Sequence, residues 1–278
     1  MLVQIRYYRP VAMEFELAFA VPAAPLAGLV REYVGWFDRS SAPISLRELP
    51  SGDVPLIIYF EGSPGGREAF AAGLHDTAVI ATSSGPAAGV QANLTALGAR
   101  LFFDRPLADF TNLTVNLDDL FGASIERLRS ELYDARTWEE RFAVLDRVIA
   151  ARIHAARRPR VELTWAWEQL VRTTGTVTVS ALSSEIGWSG RHLARQFNRE
   201  IGMTPKAFAR VLRFGSAVRR LTQRSDGRLT DIALDLGYYD QAHFTREFRE
   251  LAGVTPTDLL ASRRPAGSGF SAAGSTIR

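Results

Sequence analysis

The sequence predicts an α+β protein: a β-rich N-terminal region, a helical link, and an all-helical C-terminal region with two helix-turn-helix units. Three observations predict it. Short apolar runs punctuated by Gly, Ser and Pro occupy the first 120 residues. After Asp118 the apolar residues recur with helical spacing. In the last third one pattern, Ala181–Pro205, returns as Asp231–Pro256.

A chain of 278 residues suits two domains at ~100–200 residues each. Its hydrophobic fraction of 46% and charged fraction of 23% are ordinary for a water-soluble globular protein. With no cysteine, disulfides, thiolate nucleophiles, Cys-ligated zinc and iron–sulfur clusters are excluded together. Four histidines leave little material for a metal centre. No metal or cofactor and no catalytic residues are expected. There is no apolar run of ~18 residues, and MLVQIRYYRP lacks a signal-peptide core. A cytoplasmic protein with no membrane partner is the expectation.

The net charge of +3 is unevenly spread. Ala156 to Pro265 holds 18 basic and 11 acidic residues, a balance of +7. The remainder holds 15 basic and 19 acidic residues, a balance of −4. A basic third joined to an acidic body suits a polyanion-binding module. A solvated basic face is the plainer alternative.

In chain order, Pro25–Asp38 reads as a helix, with Leu26, Leu29, Val30, Tyr33, Val34 and Phe37 as its stripe. Val54–Phe60 is a buried strand; Thr77–Ser83 and Gly89–Thr95 are further strands, and EGSPGGR (61–67) is a loop. Ile125, Leu128 and Leu132 mark one helix face. Thr137 and Glu140 form a capping box that opens the next helix, whose stripe is Trp138, Phe142, Leu145, Ile149 and Ile153. Arg157-Arg158-Pro159-Arg160 makes a boundary, and residues 265–278 read as a disordered tail.

The repeat carries the most information. Leu182, Ile186 and Gly187 match Ile232, Leu236 and Gly237 at an offset of 50. The second copy then gains one residue in its turn. Beyond it Leu193, Arg195, Phe197, Gly202 and Thr204-Pro205 match Phe244, Arg246, Phe248, Gly253 and Thr255-Pro256. Each copy is a helix, a glycine turn and a second helix, followed by Thr as N-cap and Pro as first helical residue. On the second helices Leu193, Phe197 and Ile201, then Phe244, Phe248 and Leu251, face inward. Arg191, Ala194, Arg195 and Asn198, then Gln241, Ala242, Thr245, Arg246 and Arg249, face outward. Arg and Gln on an exposed helix face suit the guanine and adenine edges of a major groove.

The segments GWSGRHLARQFNREIGMTP and GYYDQAHFTREFRELAGVTP resemble the AraC/XylS family of bacterial transcription regulators. The resemblance covers residues 161–264. It implies a DNA-binding domain of seven helices in which a long helix, Pro205 to about Gln223, joins the two units. It also implies that each recognition helix enters one of two successive major grooves. Carried over position by position, the DNA-binding residues are Arg191, Ala194, Arg195, Gln241, Ala242, His243, Thr245 and Arg246. Ala194 departs from the polar reader common there and weakens base readout by the first unit.

Residues 49–60 (LPSGDVPLIIYF) and 106–122 (PLADFTNLTVNLDDLFG) resemble, more loosely, a sensor domain that precedes this module in many actinobacterial regulators. That resemblance implies a cupin-like β-barrel and a helical hairpin. The expected organisation is a sensory or dimerisation domain over 1–120, a helical linker over 121–158, and the DNA-binding domain over 161–264. Expected partners are double-stranded DNA, a small-molecule effector of unknown chemistry, RNA polymerase and a second copy of the chain. The alternatives are an architectural DNA-binding protein without an effector and a cupin-type enzyme carrying a DNA module.

Other residues have plainer readings. His192 and His243 lack nearby His partners, so structural or DNA-backbone roles are expected. His75 reads as a turn residue and His154 as a favourable charge at a helix end. Asp118-Asp119 read as helix-capping acids. Tyr33, Trp36 and Phe37, and at least one of Trp165 and Trp167, read as core.

Overall fold

A computed structural model describes residues 6–8, 15–40, 44–83, 85–223 and 229–262. The predicted tail over 265–278 lies outside the described residues. The chain divides into two units. One draws on residues up to 44 and on 53–73 and 82–158; the other comprises 45–52, 74–81 and the chain from 159 onward.

The first ~120 residues hold β1 (Arg6–Tyr8), β2 (Phe15–Ala20), β3 (Val30–Asp38), β4 (Ile44–Glu48), β5 (Asp53–Glu61), β6 (Ala69–Ala72), β7 (Val79–Ser83), β8 (Ala87–Thr95) and β9 (Thr114–Asn116). Seven of them form one sheet in the order β1-β2-β3-β8-β5-β6-β9, and β4 pairs with β7. The seven-stranded sheet is antiparallel throughout. Closure into a barrel needs a ladder between the end strands. Among the described residues β1 and β9 have none, so the expected barrel is an open sheet.

One face of this sheet is dry. Val54, Leu56, Ile58 and Phe60 alternate inward along β5, as a half-buried strand requires. Three helices cover that face: α1 (Ala96–Phe103), α3 (Ala123–Asp134), which follows the short α2 (Asp118–Phe121), and α4 (Trp138–Ala155). Asp118 and Asp119 fall in the first turn of α2, where acids meet the positive helix end. The capping box on α4 is present: Thr137 Oγ1 accepts from Glu140 N at 3.3 Å, and the Glu140 carboxylate accepts from Thr137 N at 3.3 Å. The α4 stripe is buried as expected. The Tyr33 ring stacks on Phe142 at 5.7 Å, and its hydroxyl donates to Asp146 Oδ1 at 2.8 Å.

The helix expected over Pro25–Asp38 is instead mostly strand β3. Its apolar spacing fits period 3.6, but its residues are β-branched and aromatic. β3 is a central strand, paired with β2 on one side and β8 on the other. Partial burial on both faces removes the clean alternation of a strand with one solvated face, and the two ladders override the helical pattern. Conversely, sequence periodicity missed α1, an eight-residue helix whose residues are all buried and which therefore has no polar face to reveal it.

The second unit contains α5 (Val161–Arg172), α6 (Val179–Glu185), α7 (Gly190–Ile201), α8 (Pro205–Gln223), α9 (Leu229–Asp235), α10 (Gln241–Ala252) and α11 (Pro256–Ser262). The seven helices and the span of α8 agree with the resemblance. Phe208, Val211, Phe214, Ala217, Val218 and Leu221 of α8 are buried. Phe208 meets Phe197 of α7 at 6.0 Å, and Phe214 meets Phe248 of α10 at 4.9 Å. Each helix-turn-helix unit is thus anchored to the same rod by an aromatic pair. The early segment 45–52 belongs to this unit, and Gly52 lies against Leu212 and Phe208.

Two stability predictions follow from this packing. In β3, a Cβ on Gly35 would lie 2.2 Å from Trp138 Cζ3, so Gly35→Ala must displace the indole. A loss of ~1–3 kcal/mol by denaturant titration, with altered tryptophan fluorescence, is expected. Phe197 is fully buried between α7 and α8. Phe197→Ala should cost about 3–5 kcal/mol in the same titration, and an unchanged midpoint would mean that the inward face of α7 is misassigned.

Candidate nucleic-acid interface

The two helix-turn-helix units share the backbone geometry of their turns. Gly187 ends α6 at φ 69°, and Gly237 ends α9 at φ 77°. A side chain is strained in that left-handed conformation, so glycine is the economical choice. The next residue in each copy closes the turn: Trp188 N donates to Ser183 O at 3.0 Å, and Tyr238 N donates to Ala233 O at 3.0 Å. The matched rings then meet matched histidines edge-on, Trp188 with His192 at 4.6 Å and Tyr238 with His243 at 5.4 Å. The two histidines therefore have structural contacts, in keeping with the plainer reading of each.

Each recognition helix opens on a side-chain cap. Ser189 Oγ accepts from His192 N at 3.2 Å, and Asp240 Oδ1 accepts from His243 N at 2.7 Å. The inward residues Leu193, Phe197 and Ile201, and Phe244, Phe248 and Leu251, are all buried. On the other face Arg191, Arg195, Gln241, Ala242, His243 and Arg246 are exposed, while Ala194 and Thr245 are half-buried. Gln241, Ala242, Thr245, Arg246 and Arg249 line one shallow depression along α10. The sequence-predicted residues thus fall on the solvent face of α7 and of α10, three on the first and five on the second.

The arginines of this unit divide into two sets. Some are engaged, Arg199 of α7 with Glu200 at 2.9 Å among them. Arg210 Nε donates to Glu247 at 2.9 Å and its Nη2 to Glu250 at 2.6 Å. Arg213 donates to Gly175 O at 2.9 Å, and Arg220 to Asp235 at 2.7 Å. Others are not: among the described residues no hydrogen bond or ion pair holds the side chains of Arg191, Arg195 or Arg246. An unpaired, exposed guanidinium on a helix face is free to fork onto a phosphate or a guanine edge.

The sequence reading missed what holds α10 in place. Glu247, 7% exposed, sits on the buried side of α10. Its carboxylate accepts from Arg210 of α8 and, at 2.9 Å, from the Tyr238 hydroxyl, with Arg213 Nη2 at 3.5 Å. Burial, followed by the Glu247 charge, pushes the Tyr238 phenol well above its ordinary pKa, so it stays a donor. Burial opposes the Arg210 charge, but Glu247 and Glu250 outweigh it and raise its pKa. Helical spacing alone gave a hint: Glu247 lies beside Phe248 and three residues after Phe244, so it falls on the apolar side. Its partners, 37 residues away in sequence for Arg210, left no local signal. Arg47 was missed for the same reason; its guanidinium donates to Ala252 O at 3.1 Å, at the negative end of α10. His75 is half-buried in the 74–81 segment, and burial lowers its pKa.

Glu247→Gln should cost about 2 kcal/mol, because the half-buried Arg210 and Arg213 lose their counter-charge. A lower denaturant midpoint with unchanged helical circular dichroism below the transition is the expected result.

Residues 182–262 match a family model described as a helix-turn-helix domain. The HTH-type transcriptional activator RhaS of Pectobacterium atrosepticum is 37% identical over 86 residues, which are 28% of this chain and 30% of that protein. The HTH-type transcriptional regulator SAS0078 of Staphylococcus aureus is 33% identical over 87 residues, 31% of this chain and 12% of that protein. The chain thus spans less than a third of the length of these relatives. Among solved structures, a Chromobacterium violaceum regulator with an AraC-type DNA-binding domain is 26% identical, over 38% of this chain and 95% of that one, with a TM-score of 0.34. ToxT from Vibrio cholerae is 10% identical over 80% of this chain and 94% of its own, with a TM-score of 0.44. No described helix is long and apolar enough to cross a membrane. Residues 182–262 of this chain are thus similar to a helix-turn-helix domain.

Proposed function

We propose that this protein is a sequence-specific transcription regulator that grips double-stranded DNA with α7 and α10. The observation that carries this reading is the split among its arginines. Arg199, Arg210, Arg213 and Arg220 are paired with carboxylates, and Arg191, Arg195 and Arg246 are left unpaired on the two matched faces. Arg191, Ala194 and Arg195 read one half of the operator. Gln241, Ala242, His243, Thr245 and Arg246 read the other. The second unit discriminates more strongly, since Ala194 offers no hydrogen bond to a base edge. Exposed arginines elsewhere set affinity through the phosphates.

In this reading the mechanism is binding rather than catalysis. The N-terminal sheet unit, with α3 and α4, is the sensory and dimerisation half, which makes DNA binding responsive to a small-molecule effector. The regulated step is promoter engagement by RNA polymerase.

Arg246→Ala tests this directly. A fork to one guanine predicts a loss of ~1–3 kcal/mol on the preferred duplex and relaxed choice at one base pair. Binding of a panel of single-base variants, measured by fluorescence anisotropy, resolves the two effects. An equal loss on every duplex would make Arg246 a phosphate contact and remove it from base readout.

A further inference from the structure

The matched turns identify which residue the second copy gained. Trp188 and Tyr238 are equivalent: each follows the left-handed glycine, closes the same backbone hydrogen bond and meets the matched histidine. Ser189 and Asp240 are equivalent as caps. The residue without a counterpart is Tyr239, between Tyr238 and Asp240. Its fate is opposite to that of its neighbour. Tyr238 is 4% exposed, and Tyr239 is 88% exposed. An aromatic side chain inserted there contributes almost nothing to the folded core.

The caps supply a second, independent observation. A helix N-terminus is ordinarily a ready site for a phosphate. On α7 the cap is the neutral Ser189. On α10 it is Asp240, whose carboxylate already occupies the first turn and repels an approaching phosphate. A helix entering a major groove by its N-terminal end brings the preceding turn to the sugar-phosphate edge. The second unit therefore needs a different donor at that edge. Tyr239 is one residue before the acidic cap, neutral and projecting into solvent.

We propose that Tyr239 donates a hydrogen bond from its hydroxyl to a DNA phosphate bordering the groove that α10 enters, replacing the helix-end contact that Asp240 blocks. This inference rests on the DNA-binding reading above. The contact positions the helix and carries no sequence information. It also releases no counterion, because a tyrosine adds no positive charge.

The test compares full-length wild type, Tyr239→Phe and Tyr239→Ala on a duplex selected from a random pool and on a scrambled duplex of equal length, across a salt series. Both variants should bind about tenfold more weakly on each duplex, a loss typical of one hydrogen bond to a charged group. The slope of log affinity against log salt and the thermal midpoint should not change. Unchanged binding by Tyr239→Phe would overturn the proposed hydroxyl contact. A loss confined to the selected duplex would overturn it too, by making Tyr239 a base reader. Failure of the wild type to bind either duplex would instead overturn the DNA-binding reading on which the inference stands.

Discussion

The burial of α8 is the constraint on which the C-terminal unit depends. Phe208 and Phe214 lie six residues apart on that helix, about 9 Å along its axis and on different sides of it. One seats Phe197 of α7 and the other seats Phe248 of α10. The recognition helices hardly need to touch each other. Their separation is fixed by a rod packed on several sides at once, with Val211, Ala217, Val218 and Leu221 also buried. A fixed separation is what the proposed reading of DNA by two short helices requires, since orientation that is set in advance is not lost on binding.

Electrostatics reinforces the same geometry and separates structure from recognition. Glu247 draws Arg210, Arg213 and Tyr238 into one cluster beneath α10, and Arg47 caps the far end of that helix. Arg191, Arg195 and Arg246 on the outward faces take no part in these contacts. The second unit is therefore held by polar contacts as well as apolar ones. It also carries the richer set of outward side chains.

Much of this was legible in the sequence because it is local. The glycine turns, the Thr-Pro starts, the Thr137–Glu140 capping box and the inward stripe of each recognition helix are set within a few residues, and periodicity reveals them. The outward faces of α7 and α10 followed from the same spacing. What the sequence hid is non-local. Pro25–Asp38 carries a helical apolar pattern, yet its strand is decided by partners β2 and β8, one of them some sixty residues on. The fully buried α1 has no polar side to give a period. Sheet closure is decided by the two end strands, and the lack of a mutual ladder between them among the described residues is not written in the segments that suggested a barrel. The Glu247 cluster joins three elements through side chains that look, one at a time, like ordinary surface charges.

The central claim is that one rigid rod makes two recognition helices read DNA together. Selection of bound duplexes from a random pool, at about physiological salt to weaken non-specific phosphate binding, tests it most directly. The predicted result is two sequence boxes about one helical turn apart, with affinity lost when about half a turn of DNA is inserted between them. A single enriched box, or two boxes whose spacing varies freely, would contradict it.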